Sequence, residues 1–187
     1  MDLQSPQKKK MNKIIAVDID DVIADLVTEW LRLYNSDYGD NLVPERITSW
    51  GAISSETKCG DKMYEYLNYP KLYSGVLPVE KSFWGINNLR MMGYRVVFAT
   101  ASWHSEKIKW VKDNKFMDNE DDLVITRDKS LVRSSFLIDD RPKNIRDFKD
   151  TGILFTKPWN KDFKWDNRCN NWDEVVSYFK KQRSIWD

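Results

Sequence analysis

Two short apolar runs in this chain end in clustered carboxylates, and they stand about 120 positions apart. Ile14–Val17 leads into Asp18, Asp20 and Asp21, and Phe136–Ile138 leads into Asp139 and Asp140. A run this short, bounded by charge, reads as a buried strand that delivers acid to its own tip. Strands of the same kind are predicted at Arg95–Ala99, closed by Thr100, at Leu123–Ile125, with Lys129 in the loop beyond, and at Ile153–Phe155. Helical segments separate most of them. Glu80–Met92 stops at Gly93, Ser105–Asn114 opens on a serine suited to N-capping, and Asn171–Gln182 begins with a cap followed by acids. Strands alternating with helices predict an α/β fold, a mainly parallel Rossmann-like sheet flanked by helices.

The stretch between the first strand and Glu80 breaks this rhythm. It has helical patterns near Ile23–Tyr34 and Asp61–Tyr69 and no convincing core strand. We therefore expect residues 12–21 and 80–187 to form the α/β core, residues 22–79 a small helical cap, and residues 1–11 a disordered tail. In an open α/β sheet ligands bind outside the carboxyl ends of the strands, so Asp18, Asp20, Thr100, Lys129, Asp139 and Asp140 should meet in one crevice.

Clustered carboxylates repel one another and resist burial, so such a crevice implies a bound cation or a group held protonated for chemistry. Two acidic tips, a hydroxyl and an ammonium suit a phosphate monoester and magnesium. Mg²⁺ takes oxygen ligands and keeps several waters, and Asp18 with one acid of the Asp139-Asp140 pair fits that role. Asp18 can attack phosphorus, while Asp20 can protonate the leaving oxygen and then activate water. Thr100, Lys129 and the Ala101-Ser102 backbone can hold the phosphoryl oxygens. The lone His104 has no role here and reads as a helix-start surface residue. Lys107, Lys109, Lys112 and Lys115 read as a solvated helix face rather than a nucleic-acid patch.

The totals exclude other classes. Lys+Arg number 30 against 29 Asp+Glu, a net charge of +1, which gives no global field for nucleic acid or an anionic membrane. No segment approaches a membrane span, and the start lacks a signal-peptide core, so a cytoplasmic protein is expected. Cys59 and Cys169 are expected to be free thiols. The many aromatic residues, nine Trp among them, suit ordinary packing or a platform for a flat ligand.

These motifs resemble the haloacid dehalogenase superfamily of phosphotransferases. Asp18-Ile19-Asp20-Asp21-Val22 matches its first motif, Val96–Thr100 its second, Lys129 its third and Asp139-Asp140 its fourth. Val124–Lys129 followed by Leu137–Pro142 is similar to the 5'(3')-deoxyribonucleotidase branch, which removes phosphate from deoxynucleoside monophosphates. The resemblance implies a Mg²⁺ site made by the Asp18 carboxylate, the Asp20 backbone carbonyl and Asp140, with Asp139 supporting. It also implies phosphate contacts from Thr100 and Lys129, a small helical cap, and a homodimer. Base recognition in that branch comes from cap aromatics. Trp50 is the candidate here, with Tyr64 or Tyr66 behind it, and Leu26 stands where animal members carry an aromatic.

The leading expectation is thus a Mg²⁺-dependent phosphomonoesterase that removes phosphate from deoxynucleoside 5'(3')-monophosphates through an aspartyl-phosphate, with no stable nucleic-acid complex. The alternative is the same chemistry on another phosphorylated metabolite or a polynucleotide end. A signalling receiver module also combines acids, Thr and Lys around Mg²⁺, but it lacks a long cap, and its acidic pair comes first in the chain. A catalytically silent binding protein on this scaffold would have no need of the full set.

Overall fold

The computed structural model describes residues 13–117 and 119–184, so the expected tail over residues 1–11 lies outside the described residues. The elements run β1 (Ile14–Val17), α1 (Leu26–Tyr38), α2 (Ile53–Glu56), α3 (Pro70–Gly75), α4 (Ser82–Met91), β2 (Arg95–Thr100), α5 (Ser105–Asp113), β3 (Leu123–Ile125), β4 (Phe136–Asp139), α6 (Pro142–Asp147), β5 (Thr151–Phe155), β6 (Arg168–Cys169) and α7 (Trp172–Ser184). The strands form one parallel sheet in the order β3-β2-β1-β4-β5-β6. The chain builds outward from β1 to β3, then crosses back to place β4 on the other side of β1. The boundary between β1 and β4 is therefore the topological switch point, where such sheets bind ligands.

Alternate strand residues feed two cores. Ile15, Val17, Phe98, Phe136, Ile138 and Phe155 face a large core shared with α1, α4, α5 and α7. Ala16, Val97, Ala99, Leu137 and Leu154 face a smaller one with Ile145 of α6 and Phe148. Burial on both faces is what makes each strand a near-continuous apolar run. Much of the aromatic load is packing, and several indoles donate to backbone carbonyls: Trp30 to Met63, Trp110 to Val76, Trp165 to Gly152 and Trp172 to Val22.

All five strands expected from sequence are present, and β6 adds a sixth. Two residues carry no apolar run to announce it; β6 forms because Arg168 and Cys169 pair with Leu154 and Phe155 at the sheet edge. The helical patterns before Glu80 need correction. α1 begins at Leu26 rather than Ile23, because Ile23 closes a turn onto Ile19 O and Ala24 bridges to Pro78 of the returning chain. Asp25 N–H donates to Leu77 O at 2.9 Å and Val79 N–H to Ile23 O at 2.8 Å. These two bonds form a neck where the insertion leaves and rejoins the core. The Gly60–Asn68 segment is a 3-10 helix rather than an α-helix, with Met63 and Tyr66, three residues apart, both turned inward. Ser105 is the first residue of α5, not its cap; His104 occupies that position without a side-chain capping bond. Asn171 does cap α7, accepting from Glu174 N–H at 2.9 Å.

Candidate active site

The tips of β1 and β4 lie side by side, with Asp18 N–H donating to Ile138 O at 2.9 Å. That register sets Asp18 beside Asp139 and Asp140, and oxygens of the three carboxylates lie within 4.8 Å of one another. Lys129 reaches between them from the loop after β3, its Nζ at 2.7 Å from Asp18 Oδ1 and 2.6 Å from Asp139 Oδ2. All four side chains are buried. Burial disfavours the lysine's charge, but the carboxylates of Asp139 and Asp18 outweigh it and push its pKa up. Burial raises Asp18 to about 7 against the pull of Lys129, with Asp139 and Asp20 adding repulsion. Asp140 is likewise held well above the usual carboxylate range, by burial and then by Asp139, Asp18 and Asp21.

Hydrogen bonding separates the roles open to these acids. Both oxygens of Asp139 are occupied: Oδ1 accepts from Arg141 N–H at 2.8 Å, and Oδ2 from Lys129 and from Asn144 Nδ2 at 3.0 Å. Asp140 Oδ2 accepts from Trp159 Nε1 at 2.7 Å, whereas its Oδ1 is buried with no partner. A buried carboxylate oxygen without a donor is costly, and a cation is the partner that suits it. The residues thus fit a hard divalent ion between Asp18 and Asp140, with Asp139 occupied in orienting Lys129.

A second group lies at the tip of β2. Lys107 is only 2% exposed, which corrects its sequence reading as part of a solvated face. Its Nζ reaches Asp20 Oδ2 at 2.5 Å and Thr100 Oγ1 at 3.1 Å, and also meets Ser102 Oγ. One ammonium thus ties the second acid of the Asp-X-Asp motif to the hydroxyl at the end of β2. The helical period carried the signal: Lys107 shares its face with the buried Trp110 and Val111, whereas Lys109 and Lys112 pair outward with Asp113 and Glu120. The other oxygen of Asp20 accepts from Tyr73 Oη at 2.6 Å, a contact no sequence pattern announced. Burial, and next the charge of Asp20, hold the Tyr73 hydroxyl well above the usual tyrosine range, so it remains a donor. Ser102 N–H makes a long 3.4 Å bond to Thr100 Oγ1. Asp21 has φ +59°, and its Oδ1 accepts from Val27 N–H at 3.1 Å, anchoring the start of α1 to the acidic tip.

Between these tips and the insertion opens a pocket of about 310 Å³, with a largely apolar lining. Asp20, Asp21, Ala101, Ser102 and Lys107 line its core side, and Leu26, Trp30, Trp50, Tyr64 and Tyr73 the facing side. Its size is near the lower end for small-molecule sites, roughly 300–1,000 Å³. Trp50 is half exposed there, with Arg141 Cζ 5.1 Å from its ring and Trp159 edge-on at 6.3 Å. Tyr64 donates to Gly51 O at 3.2 Å. Tyr66 does not reach the pocket; its hydroxyl bonds Asp37 at 2.6 Å within the insertion, so of the two tyrosines offered behind Trp50 only Tyr64 lines the site. His104 is partly buried at the pocket's edge rather than simply on the surface. Cys59 and Cys169 are both free thiols away from the acids, and no helix of the described residues is long and apolar enough to cross a membrane.

Comparison with known proteins gives the family and the fold. The family model for "5' nucleotidase, deoxy (Pyrimidine), cytosolic type C protein" matches residues 12–183. A 5'(3')-deoxyribonucleotidase of Bacillus subtilis is 30% identical over 171 residues, covering 88% of this chain and 97% of its own length. One from Clostridium acetobutylicum is 29% identical over 172 residues, covering 88% and 94%. Among solved structures, the haloacid dehalogenase-type hydrolase YfnB from Bacillus subtilis, bound to magnesium, superposes with a TM-score of 0.56 at 14% identity, covering 90% of this chain and 99% of its own. At that identity the likeness concerns the fold.

Proposed function

The chain belongs to the 5' nucleotidase, deoxy (pyrimidine), cytosolic type C family, and on that premise we propose that it hydrolyses deoxynucleoside 5'(3')-monophosphates through an aspartyl-phosphate on Asp18. One observation carries the mechanism: the buried pair Asp18 and Asp140, with an unpartnered oxygen on Asp140, stands at the strand tips beside a pocket roofed by aromatic residues. A site for a phosphate ester needs positive charge at one end and an apolar recess for the rest of the substrate, and the pocket supplies both.

In this reading Asp18 and Asp140, with the Asp20 backbone carbonyl, hold Mg²⁺, which when bound offsets negative charge on the phosphoryl oxygens. Asp139 stays outside this set and fixes Lys129. The carboxylate of Asp18 forms a bond to phosphorus as the ester P–O bond breaks, and Asp20 passes a proton to the departing oxygen. Water then attacks the acylphosphate, giving its proton to Asp20 and freeing inorganic phosphate. Thr100 Oγ1, the Ala101 and Ser102 amides, Lys107 and Lys129 act as donors to phosphoryl oxygens, where charge is concentrated during transfer. Residues 22–79 act as the cap, with Trp50 the base-facing side chain and Tyr64 behind it. Phosphate release should be measured across 5'- and 3'-monophosphates of deoxy- and ribonucleosides and several sugar phosphates. Mg²⁺-dependent release from deoxynucleotides, abolished by EDTA, is the expected result. Activity confined to sugar phosphates would overturn the substrate, and activity indifferent to EDTA would overturn the metal.

A further inference from the structure

We propose that Tyr73 is a positioning residue for Asp20, and that through it the seating of the helical insertion on the core sets the aim of that carboxyl. The proposal rests on the assignment of Asp20 as proton donor. Tyr73 belongs to α3 in the insertion and is only 5% exposed, yet its hydroxyl crosses to the tip of β1 and meets Asp20 Oδ1 at 2.6 Å. The bond joins residues 53 positions apart, one on each side of the neck at Ile23–Asp25 and Leu77–Val79.

Other tyrosines of the insertion are satisfied within it. Tyr34 bonds Asp40, Tyr64 bonds Gly51 O and Tyr66 bonds Asp37. Tyr73 alone of these four directs its hydroxyl at the catalytic tip. The Asp20 side chain is 29% exposed, so packing does not fix its rotamer; the Tyr73 and Lys107 bonds do, one on each oxygen. Lys107 is also committed to Thr100 and Ser102, where the phosphoryl group would lie, so it holds Asp20 toward phosphorus. Tyr73 is the contact that belongs to the insertion, and α3 is fixed against α5 by the Trp110 Nε1 bond to Val76 O at 2.8 Å. If the insertion lifts about its neck, Asp20 loses one of its two restraints. A carboxyl that must place its proton on one ester oxygen depends on such restraint, because a small misplacement of a reacting group lowers rate more than binding.

Tyr73→Phe keeps the ring and removes the bond. On an alkyl phosphate such as a deoxynucleoside monophosphate, kcat should fall roughly tenfold to a hundredfold, as for loss of a hydrogen bond to a charged group, with KM changed less than about twofold. On p-nitrophenyl phosphate, whose leaving group departs without a proton, the first-turnover burst of nitrophenolate should keep its wild-type rate. Thermal melting of the variant alongside the wild type reports any loss of fold. An unchanged kcat on the alkyl ester overturns the proposal. So does an equal loss on both esters with a raised KM, which is the signature of loosened packing. A wild-type enzyme that hydrolyses simple alkyl and aryl phosphates but ignores deoxynucleotides would instead overturn the substrate reading, and the two simple esters would still decide the role of Tyr73.

Discussion

At Asp18, the nucleophile of the proposed reaction, burial also makes a weak point in the fold. Its carboxyl is raised to about 7 by burial and by the neighbouring acids, so placing a charge there costs stability. Asp18→Asn should therefore lower phosphate release by roughly four orders of magnitude, as removal of a covalent nucleophile does, while the metal-free variant melts at or above the wild-type temperature. Turnover near normal, measured as phosphate release beside a thermal melt, would rule out the covalent route. Lys107→Gln makes a different demand, because it removes the cation shared by Asp20, Thr100 and Ser102. Loss of one such donor should lower kcat/KM by roughly a hundredfold, and steady-state kinetics would expose an unaffected variant. Asp18, Thr100 and the Asp139-Asp140 pair stood out in the sequence because each closes an apolar run at a strand tip, whereas Lys129, in the loop beyond β3, drew its place from the ordered set of motifs. Lys107 could not be found by counting charges. It lies among lysines that do face solvent, and only its phase relative to Trp110 and Val111 distinguishes it.

Among the elements, α4 carries a glycine in its interior that local propensity cannot explain. Alanine there would gain roughly 1 kcal/mol of helix propensity. A Cβ on Gly85, however, would sit 2.2 Å from Cε3 of Trp172, a fully buried ring whose Nε1 also bonds Val22 O. Overpacking of this kind costs about 1–3 kcal/mol, so the clash outweighs the gain and Gly85→Ala should be net destabilising. Chemical denaturation would read the difference, and a stabilised variant would mean that α4 and α7 part easily. The core strands and the longer core helices were legible because their periods are regular and their ends are marked by Gly93 and Asn171. The insertion was much less so. Its short helices and its nine-residue 3-10 segment bury only one or two residues each, and this leaves no sustained repeat to detect. β6 and α6 were missed for a related reason: two and six residues are too short to carry a pattern, and the neighbouring strand and sheet face, rather than their own sequence, impose them.

For the molecule as a whole, the acidic crevice links stability, pH and metal. Asp18 and Asp21 release protons near 3.8 in an unfolded chain but near 7 in the fold, mainly through burial. Between those values the folded state binds more protons than the unfolded state, so metal-free stability should fall as pH rises through the window and level off above it. Melting in EDTA should give a lower midpoint at about pH 7.5 than at about pH 5, and Mg²⁺ should restore more at the higher pH, because protons and metal compete for the same oxygens. A midpoint that rises with pH in EDTA would contradict the burial argument. The neck of two backbone bonds between Ile23–Asp25 and Leu77–Val79 carries a different consequence, for ancestry and redesign. β1 must find β2 across about eighty residues, yet chain-closure entropy grows only with the logarithm of length, so removing residues 26–76 would ease that search by about 1 kcal/mol. An insertion that burdens strand pairing so little, and whose ends emerge side by side, is in the proposed reading an exchangeable module: a different roof should leave the reaction in place, provided it brings its own hydroxyl to Asp20.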